Sequence, residues 1–177
     1  GRPCSFFGRG LVAHVSMAHP VCARLGNHLQ ATLAMMNVPH ARGGTYLAME
    51  GPQFSTFAES QLYRSWNCDV VGMTNIPEAK LAREAELCYA SIAMVTDFDC
   101  WHPDHDHVTV EAIVRVLLAN AEHAKAVVGH AAGPIANDGA ATACGCRHVL
   151  DHAIITAPAA RDPAMVSRLQ VIAGRVL

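Results

Sequence analysis

The sequence predicts an α/β fold, with helices flanking a largely buried sheet in a single domain. Three observations predict it. Short runs of branched apolar residues alternate with segments of helical period. Two of those runs are almost wholly apolar, as strands buried on both faces are. Of 177 residues, 51% are hydrophobic, enough for one sizeable core.

The elements follow in order. Residues 10–17 (GLVAHVSM) are short, rich in branched side chains and followed by Pro20, which reads as a strand. From Val21 to about Asn37, Val21, Leu25, Leu29, Leu33 and Met36 recur at helical spacing, and Pro39 closes the element. Residues 44–49 read as a second strand. After Gly51-Pro52, Thr56 and Glu59 fit a capping box that opens a helix to about Trp66. Residues 68–73 and 88–95 are the two apolar runs of strand length. Between them, 77–86 has helix-forming composition with Pro in its first turn. From Thr109 to about Val128 the spacing predicts the longest helix, with Val110, Ile113, Leu117, Ala121, Ala124 and Val128 as its buried stripe and Gly133-Pro134 as its exit. Residues 140–143 and 147–155 are expected to be helical, and Asp162-Pro163 caps a last helix.

Composition narrows the function classes. A formal net charge of −2 with 16% charged residues supports no electrostatic grip on nucleic acid. No apolar run approaches the ~20 residues that span a bilayer, and the start has no signal-peptide character. The expectation is a soluble, cytoplasmic protein without nucleic-acid or membrane partners. Eleven His and seven Cys are many for this length, and an odd thiol argues against a secreted disulfide framework. Free thiols or a metal are the first alternatives. The chain opens without Met and is already in dense apolar sequence by Phe6 and Phe7, so a longer protein is expected upstream.

The densest polar constellation, residues 96–107 (TDFDCWHPDHDH), gathers four carboxylates, three imidazoles and a thiol directly after an apolar run. Carboxyl ends of strands are where α/β sheets bind ligands, so Asp97 and Asp99 stand where polar chemistry is expected, beside an aromatic that can partly desolvate them. The imidazoles match neither a helical His-x-x-x-His pair nor a repeated Cys-x-x-Cys pair, so a solvated loop is preferred to a metal site there. Two further constellations are a strand end and Gly-Pro turn with Phe54, and a strand ending at Met73 with Thr74 at a helix N-terminus. Taken alone, Phe54 reads as a core aromatic and Thr74 or Asn75 as a cap, although free helix-terminal N–H groups also hold anions. Cys144-Gly145-Cys146 reads as unremarkable thiols or as a redox or structural pair, outside any site.

Together these motifs carry a resemblance. Glu50-Gly51-Pro52 with Phe54 and Ala58-Glu59, then Asp69-Val70-Val71-Gly72-Met73-Thr74, Pro77-Glu78, Leu81-Ala82-Arg83-Glu84, and residues 88–94 leading to Thr96-Asp97-Phe98-Asp99-Cys100-Trp101, resemble in order and spacing the methylthioadenosine-cleaving members of the trimeric purine nucleoside phosphorylase family. The match is dense from about Gly8 to Leu118 and fades after Gly133. It implies a three-layer α/β/α fold with a central mixed sheet, incomplete at its N-terminus. The 177 residues are then the C-terminal part of a single nucleoside phosphorylase domain. The glycine-containing loop and Arg-His segment that bind most of the phosphate in the family have no counterpart here.

The resemblance implies phosphorolysis of a nucleoside, with inorganic phosphate as co-substrate, no cofactor, no metal and a homotrimeric assembly. By the motif match Asp97 is the catalytic carboxyl at the purine N7, and Asp99 helps recognise the N6 amino group. Phe54 packs on the base, Met73 lies against the ribose, and Thr74 binds phosphate. Val110 and Ile113 form the apolar wall for a 5′-methylthio group, and His14 reaches a neighbouring subunit's site. Family members that cleave 6-oxopurines typically carry Asn in place of Asp97 and Glu in place of Ser55, so adenine is the expected base. A 6-oxopurine phosphorylase and an inactive purine-binding fragment are the alternatives, with a metal enzyme third.

Overall fold

The computed structural model describes residues 1–102, 110–139 and 144–177. Their elements run α1 (Ala23–Met35), β1 (Tyr46–Ala48), α2 (Phe57–Ser65), β2 (Val70–Gly72), α3 (Asn75–Glu84), α4 (Val110–Ala136) and α5 (Pro163–Ala173), with short 3-10 turns at Gly145–His148 and Pro158–Ala160. The chain divides into two compact units. The first comprises Gly1–Asn27, Ile76–Ser91 and Asp138–Leu177, the second His28–Asn75 and Ile92–Asn137. No helix among the described residues is long and apolar enough to cross a membrane.

The first unit is built on a cluster of Phe7, Leu11, Leu150, Ala153, Leu169 and Ala173, with Phe6, Val15, Ile154 and Met165 packed around it. An antiparallel bridge between Ala13 and Ile154 joins two of its segments, reinforced by Ile155 N–H donating to the Val12 carbonyl at 3.0 Å. Gly10 is required where the chain enters this bridge. At φ +93° it adopts a conformation L-residues avoid, and a Cβ there would meet Asp162 Cβ at 2.6 Å. Asp162 in turn caps α5 by accepting from Met165 N–H at 3.0 Å. The buried Glu84 is satisfied by Ser5 Oγ at 2.8 Å and Phe6 N–H at 2.7 Å, so the N-terminal segment is hydrogen-bonded to α3. Glu86 accepts from Leu150 N–H at 3.0 Å and pairs with Arg175, which also reaches Asp151.

The second unit holds the described sheet, β1 and β2 paired in parallel with Tyr46 opposite Val70, Leu47 opposite Val71 and Ala48 opposite Gly72. α2 is the crossover between them, as a parallel pair requires. Its capping box forms as expected: Glu59 N–H donates to Thr56 Oγ1 at 3.2 Å while Thr56 N–H donates to Glu59 Oε2 at 2.7 Å. That donation holds the Glu59 carboxyl below its ordinary pKa.

Several expectations are corrected. Residues 88–95 make no strand, and residues 10–17 make isolated bridges only. Among the described residues, the expected central mixed sheet is two parallel strands. A strand exists only where a second strand offers its edge, and neither segment has such an edge here beyond those bridges. The helix expected over 147–155 is a 3-10 turn at Gly145–His148, and residues 140–143 lie outside the described residues. α4 runs past Pro134 to Ala136, because a proline in the last turn removes only one hydrogen bond; Asn137 closes the end with its N–H and Nδ2 on the Gly133 carbonyl.

The expected stripe of α4 is half covered, with Ile113, Ala121 and Ala124 partly buried. Val110, Leu117 and Val128 are 68%, 52% and 64% exposed. The covered row is Ile113, Val116, Asn120, Ala124, Val127 and Ala131, with Val127 and Ala131 fully buried. Glu111, Arg115, Glu122 and Lys125 share the opposite face of α4, so the covered row is the one turned furthest from these charges, offset around the helix from the expected stripe.

Candidate functional site

Phe54, Met73, Thr74, Asp97, Asp99, Val110 and Ile113 all belong to the second unit. The strand ends and the turns that follow them bring several of these segments together. Met73 follows β2 directly, and its thioether lies over Gly51 of the turn after β1. A Cβ on Gly51, whose φ is +68°, would meet Met73 Sδ at 2.5 Å. The β1–β2 register creates this approach, since Met49 N–H donates to the Gly72 carbonyl at 2.9 Å.

The acidic segment is held against the same turn. Cys100 Sγ donates to the Ser55 carbonyl at 3.6 Å, one residue from Phe54, and Ser55 Oγ contacts Met49 Sδ at 3.8 Å. Burial pushes the Cys100 thiol up, as expected of a group packed at this junction. α2 supplies the backing: Arg64 stacks 3.8 Å from the centroid of Trp101, and Trp101 meets Phe98 edge-to-face with centroids 6.1 Å apart. Tyr63 on the same helix is raised by burial and by the carboxylates of Glu59 and Asp99.

Within that segment the two aspartates form one hydrogen-bonded turn. Asp97 Oδ1 accepts from Asp99 N–H at 2.8 Å and Oδ2 accepts from Thr96 Oγ1 at 2.5 Å. Asp99 sits at φ 56°, a left-handed position that a short polar side chain tolerates. Asp97 is exposed and Asp99 half-buried, so the partial desolvation expected of both applies to Asp99 alone.

Phe54 is 56% exposed, which removes the reading of it as a core aromatic. Thr74 is exposed and immediately precedes α3, whose regular helical geometry starts after the non-helical Ile76. Val110 and Ile113 lie on the first turn of α4, three residues apart; the helix is tied to the acidic segment's approach by Asn120 Nδ2 donating to the Val95 carbonyl at 3.3 Å. His14 belongs to the first unit, where it is exposed and its N–H donates to the Ala153 carbonyl at 2.8 Å. The loop residues Asp104, His105, Asp106 and His107 lie outside the described residues.

Comparison with known proteins decides the family. The sequence profile of the phosphorylase superfamily matches residues 1–132. The chain belongs to the phosphorylase superfamily. Among its relatives, an S-methyl-5′-thioadenosine phosphorylase of Rhodospirillum rubrum is 61% identical over 176 residues, covering 99% of this chain and 60% of the relative. One of Bradyrhizobium diazoefficiens is 59% identical with the same coverage. A crystal structure of methylthioadenosine phosphorylase from an antarctic soil metagenomic library superposes with a TM-score of 0.86 at 40% identity, over 97% of this chain and 60% of that one. The Schistosoma mansoni methylthioadenosine phosphorylase in complex with adenine superposes with a TM-score of 0.81 at 29% identity, over 88% and 62%. These likenesses bear out the expected nucleoside phosphorylase-like α/β fold. The chain spans about 60% of the length of the curated relatives it matches.

One group of reactive side chains was not legible as a site. Cys22, Cys88, Cys144 and Cys146, all in the first unit, have sulfur atoms within 4.8 Å of one another. The Cys146 backbone N–H lowers the Cys144 thiol to about 6, while burial raises those of Cys88 and Cys146. The sequence signals were the excess of cysteines and the Cys144-Gly145-Cys146 pair, while Cys22 and Cys88 stand far from that pair along the chain.

Proposed function

We propose that this chain forms the purine- and ribose-facing part of an S-methyl-5′-thioadenosine phosphorylase, a pentosyltransferase acting as a cytoplasmic homotrimer. In the reaction, an oxygen of inorganic phosphate bonds to C1′ of the nucleoside as the C1′–N9 bond breaks. The bonding pair leaves with the adenine. Charge then builds in opposite senses on the ribose and the base, and a group that shares a proton at N7 stabilises the departing purine.

The observation that carries the reading is the turn in which Asp97 accepts from Asp99 N–H at 2.8 Å, held beside Phe54 through Cys100 and Ser55. Two carboxylates two residues apart suit an aminopurine. Asp97 takes up a proton from solvent and shares it with N7, and Asp99 accepts from the exocyclic N6–H, a donor that a 6-oxopurine lacks. Asp97 must exchange one intramolecular partner for the base, and the single-bond rotation of Thr96 Oγ1 releases one oxygen. Phe54 stacks on the base and Met73 lies along the ribose. Thr74 holds one side of the phosphate through its hydroxyl. Val110 and Ile113 accept the methylthio group, where an unpaired hydroxyl would be disfavoured. His14 acts toward a neighbouring subunit's site. No cofactor or metal takes part in the transfer.

The test is adenine release from methylthioadenosine, with and without phosphate, and parallel assays with methylthioinosine and inosine. Release only with phosphate, and preference for the aminopurine, is expected. Equal release without phosphate overturns the reaction, and preference for methylthioinosine moves the assignment to a 6-oxopurine phosphorylase.

A further inference from the structure

We propose that Cys22, Cys88, Cys144 and Cys146 form a structural zinc site of four thiolates. The four sulfurs lie within 4.8 Å of one another, with Cys22–Cys144 and Cys88–Cys144 each at 3.6 Å. A tetrahedral zinc with Zn–S bonds of about 2.3 Å has sulfurs about 3.8 Å apart. All seven cysteines are free, and 3.6 Å is far beyond the ~2.05 Å of a disulfide. Carboxylate or imidazole ligands are not part of the group, and an all-sulfur set selects a soft or borderline metal over magnesium or calcium.

The surroundings match a thiolate centre. Each sulfur has its own N–H donor: Leu25 N–H to Cys22 at 3.5 Å, Arg24 Nη2 to Cys88 at 3.6 Å, Arg83 Nη1 to Cys146 at 3.6 Å, and the backbone N–H of Cys146 to Cys144. Such donors orient ligands and spread their negative charge. Four thiolates around Zn²⁺ leave two negative charges, and Arg83 and Arg24 stand against them, Arg24 shared with the Asp138 carboxylate. Arg24 is itself held by Asp138 at 2.6 Å, and Arg83 Nε by the Ser16 carbonyl at 3.1 Å. Cys22 immediately precedes α1, whose N-terminus also favours a thiolate.

Binding is ligand exchange without redox chemistry: four S–Zn bonds form, zinc loses its waters, and the thiol protons pass to solvent. The metal would cross-link the segment before α1, the one after α3 and the 144–146 turn, which are otherwise joined by few backbone bonds such as Cys22 N–H to the Tyr89 carbonyl at 2.7 Å. The site is far in chemistry from phosphorolysis and its role is to staple the first unit.

The reduced 177-residue chain is titrated with zinc, then alkylated with iodoacetamide before and after a zinc chelator, and modified residues are mapped by mass spectrometry. About one zinc per chain is expected, with Cys22, Cys88, Cys144 and Cys146 protected until chelation and the exposed Cys4 modified throughout. Cobalt(II) should give the intense visible absorption of a tetrahedral thiolate, lost in Cys144→Ser and Cys146→Ser and kept in Cys4→Ser. Labelling that zinc does not change, or cobalt spectra of octahedral type in the unaltered chain, overturns the proposal, as does a zinc-replete preparation in which these thiols are found as disulfides.

Discussion

The Met73 thioether covers Gly51 so closely that a Cβ there would stand 2.5 Å from the sulfur. This contact joins the turn after β1 to the end of β2, and with it the base-facing and ribose-facing segments of the proposed nucleoside site. Gly51→Ala forces Met73 aside and places an L-residue at φ +68°. The strain costs about 1–2 kcal/mol. The displaced thioether should raise KM for methylthioadenosine roughly tenfold, more than it lowers kcat, as steady-state kinetics on the active protein would show. An unchanged KM removes Met73 from the site.

Asp97→Asn replaces a group that can share a proton at N7 with one that cannot. Loss of general-acid assistance is typically worth about 10²–10⁴ in rate. We expect phosphorolysis of methylthioadenosine to fall at least a hundredfold by this measure, with a much smaller loss on methylthioinosine. Equal losses on the two substrates would falsify the role.

Phe54 contributes little to this chain's packing, being 56% exposed. Phe54→Ala should therefore leave the thermal midpoint almost unchanged, within about 0.5 kcal/mol. Adenine affinity measured by calorimetry should drop about tenfold, since stacking on a base is worth about 1–3 kcal/mol. A large fall in stability with intact affinity would return Phe54 to a packing role.

Leu169 is fully buried in the first unit's cluster with Leu11 and Leu150. Leu169→Ala is expected to cost about 2–5 kcal/mol in denaturant unfolding, the transfer and cavity terms together. Leu118→Ala, on the exposed side of α4, should cost far less.

Arg175 pairs with Glu86 and Asp151, and its hydrogen bond holds the Asp151 carboxyl below its ordinary value. A depressed folded-state pKa contributes stability above the unfolded pKa and loses it as pH falls through the folded one. The stability gap between the unaltered chain and Arg175→Met should be constant near neutrality. It should close as pH drops below about 4. Urea melts at a series of pH values measure it; a gap that widens in acid contradicts the assignment.

Features decided within a few residues were legible in the sequence. Thr56 and Glu59 form their capping box, Asp162 caps α5, and the helices over 21–37, 57–66 and 77–86 stand within a few residues of their expected bounds. The motif order around Asp97 and Met73 led to the family that the profile over residues 1–132 establishes.

Tertiary structure decided the rest, because it depends on groups brought together from distant parts of the chain. Residues 88–95 have strand composition but no paired edge, and composition cannot supply one. On α4 the row from Ile113 to Ala131 lies opposite Glu111, Arg115, Glu122 and Lys125, but that Val110, Leu117 and Val128 beside it stay exposed was decided by what packs against the helix. The Gly51–Met73 contact rests on the register of β1 with β2. The thiol group unites Cys22 with Cys144 across 122 residues of chain. Local propensity carries no information over such a separation; only the folded backbone turns an excess of cysteines into four sulfurs with one centre.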